Sequence, residues 1–319
     1  MSHITVKTLL SFLEKRSINY RAEGPLQEDQ IFSYASIFAP IPQGFYFYLG
    51  EKMVFPIEDS LLLADMALPM SEPGKNNTVL YIDANPQTTY YRILLEFHGE
   101  KSTGIISPHA VIDPEAEIGE NVQIDPFCVV GKVKIGANSI IKSNSNLHDN
   151  TIIGENVHIE SGSVIGARGV AWIWNEDETE KVIQPQIGGV TVGDHTFLGA
   201  HTVVVRGSIN EHTTIGHHSL LAPGSRIGHG TQIGNFVHFA NNVITGGNTK
   251  IADYCFIGSS AVFRPKVSLH PETIVGAGAV VTKNTTKAGA TLVGVPAKQL
   301  ETKAHPSGMP KPKSKKTQK

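Results

Sequence analysis

The sequence predicts a mainly β protein, in which a parallel β-helix of about nine coils follows a small α+β domain. Three observations support this prediction. Apolar residues recur every six positions through most of residues 104–286, and small residues follow many of them. Residues 1–103 lack this period and combine helix and strand patterns. Only 18% of the residues are charged, which suits a fold that hides much of its surface in stacked repeats or in an oligomer.

The first 103 residues predict a helix at about 5–16 and a second helix at 88–99, because apolar residues recur there at helical spacing. Between them, the aromatic-rich stretch GFYFYL at 44–49 predicts a short strand. The N-terminal segment has no long apolar run, so it is expected to be a helix rather than a signal peptide. No stretch approaches the length of a membrane span.

The six-residue repeat runs from Ile106 to Val281, with one-residue deletions after Val130 and Val204 and an interruption at 166–191. Of the 27 repeat positions counted in this way, 26 are apolar. Each position predicts a short strand with one inward side chain, followed by a tight corner. Three such strands close a coil of about 18 residues, and coils stack at the strand spacing of about 4.8 Å.

The one polar repeat position is Thr245. Gly or Ala follows the repeat position at 9 of the 12 places from 216 to 282, which suits corners with little steric room. Cys128 and Cys255 each lie four residues after a repeat position, so both are predicted to be core residues without a chemical role. Two cysteines in no metal-like spacing suit a reducing compartment, and the protein is expected to be cytoplasmic.

The interruption at 166–191 is too long for a corner and contains both tryptophans, Trp172 and Trp174. Long loops that leave a regular scaffold usually carry function. The two tryptophans are therefore predicted to contact substrate or a subunit interface. A hairpin that merely covers a neighbouring subunit is the alternative.

The stretch SRIGHGTQIG at 225–234 places His229 two residues past a repeat position, where its side chain should point out of the helix. Glu211 lies eighteen residues before it and Gly247 eighteen residues after it, so both should occupy adjacent coils. A carboxylate there could orient the imidazole, and a glycine would leave room and an N–H group for a carbonyl oxygen. The constellation predicts His229 as a general base, Glu211 as its orienting partner and Gly247 as an oxyanion donor. A solvated surface histidine is the alternative.

Two further alternatives follow from the repeat region. His212 and His217 have an H-x4-H spacing found in one class of β-helical zinc enzymes, but residues 174–178 lack the third histidine that such a site needs. No metal site is therefore predicted. A purely structural β-helix is the other alternative.

Residues 105–298 resemble the hexapeptide-repeat sugar-nucleotide acyltransferases of the lipid A pathway and their acetyl-transferring relatives. The stretch RIGHGTQIGNFVHFANNVITGG resembles the one that carries their catalytic histidine, and AVIDPEAEIGENVQIDPFCVVG resembles their first coils. The closing stretch GAGAVVTKN…GVPAK and the N-terminal stretches ASIFAPIPQGFYFYLGEK and YIDANPQTTYYRILLEF are also similar. The resemblance implies a left-handed helix, a homotrimer, His229 as base, Gly247 as oxyanion donor, and stacking of Phe47 on a uracil base.

Departures from the family bear on the acyl donor. Gly50 and Met53 stand where the family has a polar and an aromatic residue, and a lysine-rich tail replaces the helix that binds acyl carrier protein. The stretch RPK at 264–266 places cations where a long acyl chain would favour small apolar groups, and cations suit the phosphates of coenzyme A. The predicted donor-binding residues are Arg264, Lys266, Lys283 and Lys298.

Residues 287–319 are predicted to hold the closing motif and a disordered tail, because 302–319 carry six lysines and no acid. Nucleic-acid binding is not predicted, since no basic face occurs elsewhere. Together, sequence and resemblance predict an N-acetyltransferase that uses acetyl-CoA and a UDP-linked amino sugar in surface polysaccharide synthesis. The alternative is a UDP-3-O-acylglucosamine N-acyltransferase that uses a 3-hydroxyacyl-acyl carrier protein in lipid A synthesis.

Overall fold

The computed structural model describes residues 3–50, 57–67, 69–70, 73–74 and 76–300. Met53 and the lysine-rich tail lie outside these residues. The chain divides into two compact units, residues 1–100 and 101–319. No helix in the described part of the chain has both the length and the apolar character needed to cross a membrane.

The first unit is a six-stranded mixed sheet with two helices. The helices are α1 (Val6–Lys15) and α2 (Pro86–His98), and the strands are β1 (His3–Thr5), β2 (Tyr20–Glu23), β3 (Ile31–Tyr34), β4 (Gly44–Phe47), β5 (Leu61–Asp65) and β6 (Thr78–Ile82). The sheet order is β1-β3-β4-β5-β6-β2, with parallel pairing from β3 to β6 and antiparallel edges. Each helix begins at a side-chain cap: Thr5 accepts the N–H of Thr8 at 3.1 Å, and Asn85 accepts that of Thr88 at 2.8 Å.

The second unit is a left-handed parallel β-helix with three faces, and it confirms the predicted fold class. The first face has nine strands: β7 (Val111–Ile112), β10 (Val129–Val130), β13 (Asn146–Leu147), β16 (Val164–Ala167), β21 (Val203–Val205), β24 (Arg226–Ile227), β27 (Ile244–Thr245), β30 (Val262–Phe263) and β33 (Val280–Val281). The second face has eight: β8 (Glu117–Ile118), β11 (Lys134–Ile135), β14 (Thr151–Ile153), β19 (Gly189–Val192), β22 (His212–Ile215), β25 (Gln232–Ile233), β28 (Lys250–Ile251) and β31 (Ser268–Leu269).

The third face has ten strands: β9 (Gln123–Ile124), β12 (Ile140–Ile141), β15 (His158–Ile159), β20 (Phe197–Leu198), β23 (Leu220–Leu221), β26 (His238–Phe239), β29 (Phe256–Ile257), β32 (Ile274–Val275), β34 (Thr291–Val293) and β35 (Lys298–Gln299). Strands are parallel between coils, and β35 turns back antiparallel to β34. Asparagines form many of the tight corners with positive φ, such as Asn138 at 60° and Asn144 at 63°, because this side chain tolerates that conformation.

The predicted repeat positions form one continuous apolar column inside the helix, in which Cys128 and Cys255 are buried as expected. Two positions are exposed instead. Ile106, at the start of the helix, is 43% exposed, and Ile209 is 54% exposed because residues 206–211 form a loop rather than a strand. The chain passes from Val204 on the first face to Ile215 on the second in one step, which contains five extra residues.

The interruption at 166–191 contains an antiparallel hairpin, β17 (Trp172–Trp174) and β18 (Lys181–Ile183). It leaves the helix after β16 and returns at β19. The hairpin and the 206–211 loop both lie where the chain passes from the first face to the second. We call the stack of turns at this edge the first corner.

Candidate functional site

His229 lies in the first corner, between β24 and β25, and its side chain is half-buried. Its Nδ1 is 3.1 Å from the Ser208 Oγ. On the other side, the ring covers Gly247 in the next coil. A Cβ atom on Gly247 would lie 2.7 Å from the His229 Cδ2 and 2.8 Å from Cε1, and closer still to Nε2. The structure therefore brings Nε2 and Gly247 together as the sequence predicted, and only a glycine leaves the ring in place.

The amide of Gly247 is well placed to donate a hydrogen bond. The carbonyl of Gly246, in the same peptide unit, accepts hydrogen bonds from Thr249 Oγ1 at 2.8 Å and Thr231 Oγ1 at 3.2 Å, and both threonines are fully buried. In a trans peptide the N–H points away from the C=O. The Gly247 N–H is therefore directed away from the core, and no described residue accepts it.

Glu211 occupies the coil next to His229, but its carboxylate does not bond to the ring. Oε1 accepts the Ser208 N–H at 2.7 Å, and Oε2 accepts the Ile209 N–H at 3.0 Å. These backbone bonds, the one from Ile209 first, hold the pKa of the Glu211 carboxyl below its usual value. Glu211 thus shapes the 206–211 loop, and Ser208 makes the contact that was expected of Glu211.

Ser208 is the site residue that sequence reasoning missed. The error at Ile209 hid it, because a repeat position there would place Ser208 at the start of a strand. A hydroxyl can either donate to or accept from an imidazole nitrogen, so this bond orients the ring in either tautomer.

Trp172 and Trp174 share one face of the hairpin, with ring centroids 5.2 Å apart, and each is less than half exposed. The Lys181 Nζ lies 4.2 Å from the Trp172 ring centroid. No described hydrogen bond or ring contact joins either tryptophan to His229. The base of the hairpin does reach the site loop, since the Ile187 N–H donates to the Ser208 carbonyl at 3.0 Å.

Phe47, in the first unit, is half-buried against α2. Its ring centroid lies 5.4 Å from that of Tyr90 and 6.0 Å from that of Tyr91. Packing on these tyrosines covers part of the ring and fixes its orientation. Its predicted contact with a base stays a prediction.

The four predicted donor-binding cations are all exposed. Lys266 lies one coil after Gly247 in the first corner, and its N–H donates to the Gly247 carbonyl at 2.9 Å. Arg264 is in the same turn, and Lys283 lies in the turn after β33. Lys298 is on β35, away from this corner. Three of the four cations thus extend the row of corner residues that begins with His229 and Gly247.

The two histidines of the H-x4-H motif bond to different neighbours. His212 Nδ1 is 2.8 Å from the Thr191 Oγ1, whereas His217 Nδ1 accepts the Asp194 N–H at 3.0 Å. Each imidazole thus has its own partner in the helix.

Ile209 and Asn210 of the site loop also line a cavity of about 370 Å³ on the second face.

Comparison with known proteins agrees with this architecture. The description "Bacterial transferase hexapeptide (six repeats)" matches residues 115–149, 132–167 and 248–283. A UDP-3-O-acylglucosamine N-acyltransferase from Polynucleobacter asymbioticus is 29% identical over 57% of this chain and 55% of its own. The enzyme of the same name from Bordetella pertussis is 28% identical over 72% of this chain and 69% of its own. The chain therefore spans between about half and two thirds of these relatives.

Solved structures give the same result. The UDP-N-acetylglucosamine O-acyltransferase of Moraxella catarrhalis superposes with a TM-score of 0.56 at 25% identity, over 61% of this chain and 73% of that one. The Bacteroides fragilis UDP-N-acetylglucosamine acyltransferase gives a TM-score of 0.55 at 26% identity, over 61% of this chain and 74% of that one. The repeat matches, the named relatives and these superpositions agree with one another, and together they support a hexapeptide-repeat acyltransferase with a left-handed β-helix fold.

Proposed function

We propose that the protein is an N-acyltransferase that moves an acyl group from a thioester to the amine of a nucleotide-linked amino sugar. The observation that carries this proposal is the position of the His229 Nε2 against Gly247, whose N–H no described residue accepts. A general base next to an oxyanion donor is the arrangement that acyl transfer requires.

In this mechanism His229 Nε2 removes a proton from the amine as its nitrogen bonds to the thioester carbonyl carbon. The carbonyl oxygen becomes an oxyanion, which the Gly247 N–H stabilises. Collapse of this intermediate breaks the carbon–sulfur bond, and the thiolate leaves and takes up the proton. Ser208 holds the ring throughout. Neither cysteine is suited to act as a nucleophile, because both are buried and burial raises the pKa of Cys255 to about 12.

For the acceptor and donor, the relatives favour the alternative given by the sequence analysis, which is N-acylation of UDP-3-O-acylglucosamine from an acyl carrier protein thioester. Their name supports a UDP-3-O-acylglucosamine acceptor and the transfer of an acyl group, which fits an acyl carrier protein thioester better than acetyl-CoA. Acetyl-CoA is kept as a second candidate because Arg264, Lys266 and Lys283 extend the same corner as exposed cations. Such cations could bind the phosphates of coenzyme A.

A donor screen tests the proposal. Purified protein is given UDP-3-O-acylglucosamine, or a panel of UDP- and dTDP-amino sugars, with either 3-hydroxyacyl-acyl carrier protein or acetyl-CoA. We expect turnover of UDP-3-O-acylglucosamine with the acyl carrier protein thioester. Turnover with acetyl-CoA alone, with a donor KM that rises with salt and on Arg264→Ala, would favour the second candidate. No transfer in any combination would overturn the function.

We also propose a homotrimer, in line with the family resemblance. The outward side chains of the third face support it, because Phe197, Leu220 and Phe256 form a row along successive coils in which His238 is the one polar member. Burial lowers the pKa of His238, which therefore suits an apolar interface. Light scattering should give three times the mass of the chain, and a monomer at micromolar concentration would contradict the proposal.

A further inference from the structure

Thr245 is the one polar side chain among the predicted repeat positions, and it lies one coil from His229. It is 4% exposed and points into the apolar column, next to Phe263 of the following coil. A hydroxyl in this column loses hydration, so it must find partners inside the helix.

The Thr245 hydroxyl takes the place of a backbone acceptor. Elsewhere on the first face, the residue after a repeat position donates its N–H to the carbonyl of the repeat position in the next coil. Gly246 donates to the Phe263 carbonyl in this way at 2.9 Å, and Arg264 to the Val281 carbonyl at 2.9 Å. Gly228, the residue before His229, donates instead to the Thr245 Oγ1 at 3.0 Å.

The same hydroxyl also connects to the corner that carries Gly247. Thr245 Oγ1 is 3.3 Å from the Thr231 Oγ1, and the Thr231 hydroxyl donates to the Gly246 carbonyl. That carbonyl belongs to the peptide whose N–H is the proposed oxyanion donor. One buried side chain therefore links the turn of His229 to the turn of Gly247.

From this placement we infer that Thr245 is a positioning residue, which fixes the distance between the His229 imidazole and the Gly247 N–H. The inference rests on the proposed acyl transfer for its kinetic consequence, but its structural consequence is independent of the reaction. Without the hydroxyl, the Gly228 N–H is free to bond to the carbonyl of residue 245, as its counterparts do elsewhere on this face. The turn of His229 would then move relative to Gly247.

The test compares Thr245→Val, which keeps the shape and removes the hydroxyl, with Thr245→Ser, which keeps the hydroxyl. Thr273→Val is the matched control, because Thr273 is also fully buried and its hydroxyl donates to a backbone carbonyl, that of His270, at 2.7 Å. We expect Thr245→Val to lower kcat about 10- to 100-fold with both KM values unchanged, as a small misplacement of reacting groups does. Thr245→Ser should restore most of kcat, and Thr273→Val should leave it unchanged.

A crystal structure of Thr245→Val, compared with one of the wild type, gives the readout that does not need activity. We expect the Gly228 N–H to bond to the carbonyl of residue 245 and the distance from the His229 Nε2 to the Gly247 nitrogen to change. An unchanged distance would overturn the role of Thr245 even if the wild type is an active acyltransferase. Wild-type kcat in a folded Thr245→Val variant would overturn it as well. A changed distance in a protein that transfers no acyl group would support the positioning role and reject the proposed function.

Discussion

Gly247→Ala is the change that tests the site most directly. The φ angle of Gly247 is not positive, so alanine meets no backbone strain there. Its Cβ, however, would lie 2.7 Å from the His229 Cδ2, whereas ordinary contact begins at 3.4 Å. To restore ordinary contact, the two groups must separate by about 1 Å. The imidazole is the group that moves, because a side-chain ring shifts more easily than backbone. The N–H of residue 247 remains, so the variant displaces the base and keeps the oxyanion donor.

A displacement of this size should lower kcat about 100-fold. Tm should change little, since the ring is half-buried in a corner outside the apolar column. The assay is steady-state acyl transfer with the donor and acceptor that the screen identifies. Gly276→Ala is the matched control, because its Cβ would lie 3.1 Å from a Val293 side-chain atom and its φ is also not positive. Wild-type kcat in Gly247→Ala, or an equal loss in Gly276→Ala, would refute the reasoning.

Three further predictions concern His229, Glu211 and, in the first unit, Phe47. His229→Ala should lower kcat by about 10²–10⁴ while Tm stays near that of the wild type, and unchanged kcat at saturating substrates would reject the base. The pKa of Glu211 is lowered in the folded state, so its bonds to the loop amides add stability above its unfolded pKa, and that stability is lost as pH falls through the folded pKa. Glu211→Gln should therefore give a Tm that falls less steeply below pH 4.5 than the wild type does, and parallel curves would contradict this role. Phe47→Ala should raise the KM for the sugar nucleotide and leave that for the donor unchanged, and the reverse pattern would exclude a base contact.

The six-residue period was enough to predict a three-sided parallel β-helix, because every coil buries its inward side chains in the same way. Its left hand followed from the family resemblance. Buried positions such as Cys128 and Cys255 follow from the register alone. His229 and Gly247 could be paired for the same reason, since no insertion lies between them and coils stack in order. Register fails as a guide where the chain adds residues, and it failed at Ile209.

Hydrogen bonds of single side chains could not be predicted in this way. The sequence gives no sign that the Glu211 carboxylate turns toward the amides of Ser208 and Ile209 rather than toward His229. The choice depends on the path of a loop outside the repeat. The path of the hairpin at 166–191 could not be predicted from the repeat either, because its two strands pair with each other and not with the helix.

The departures from the repeat, taken together, mark the site more sharply than any single motif does. The five extra residues after Val204 deliver Ser208 to the His229 ring, and the polar position Thr245 bonds to the turn that carries it. The hairpin returns through Ile187, which donates to the Ser208 carbonyl. In a solenoid that gains stability from identical coils, irregular backbone and a buried hydroxyl are costs in stability, and they are expected where function requires them. Three departures therefore meet in the loop and turns around His229, and this supports the proposal that the chemistry lies there rather than at another histidine.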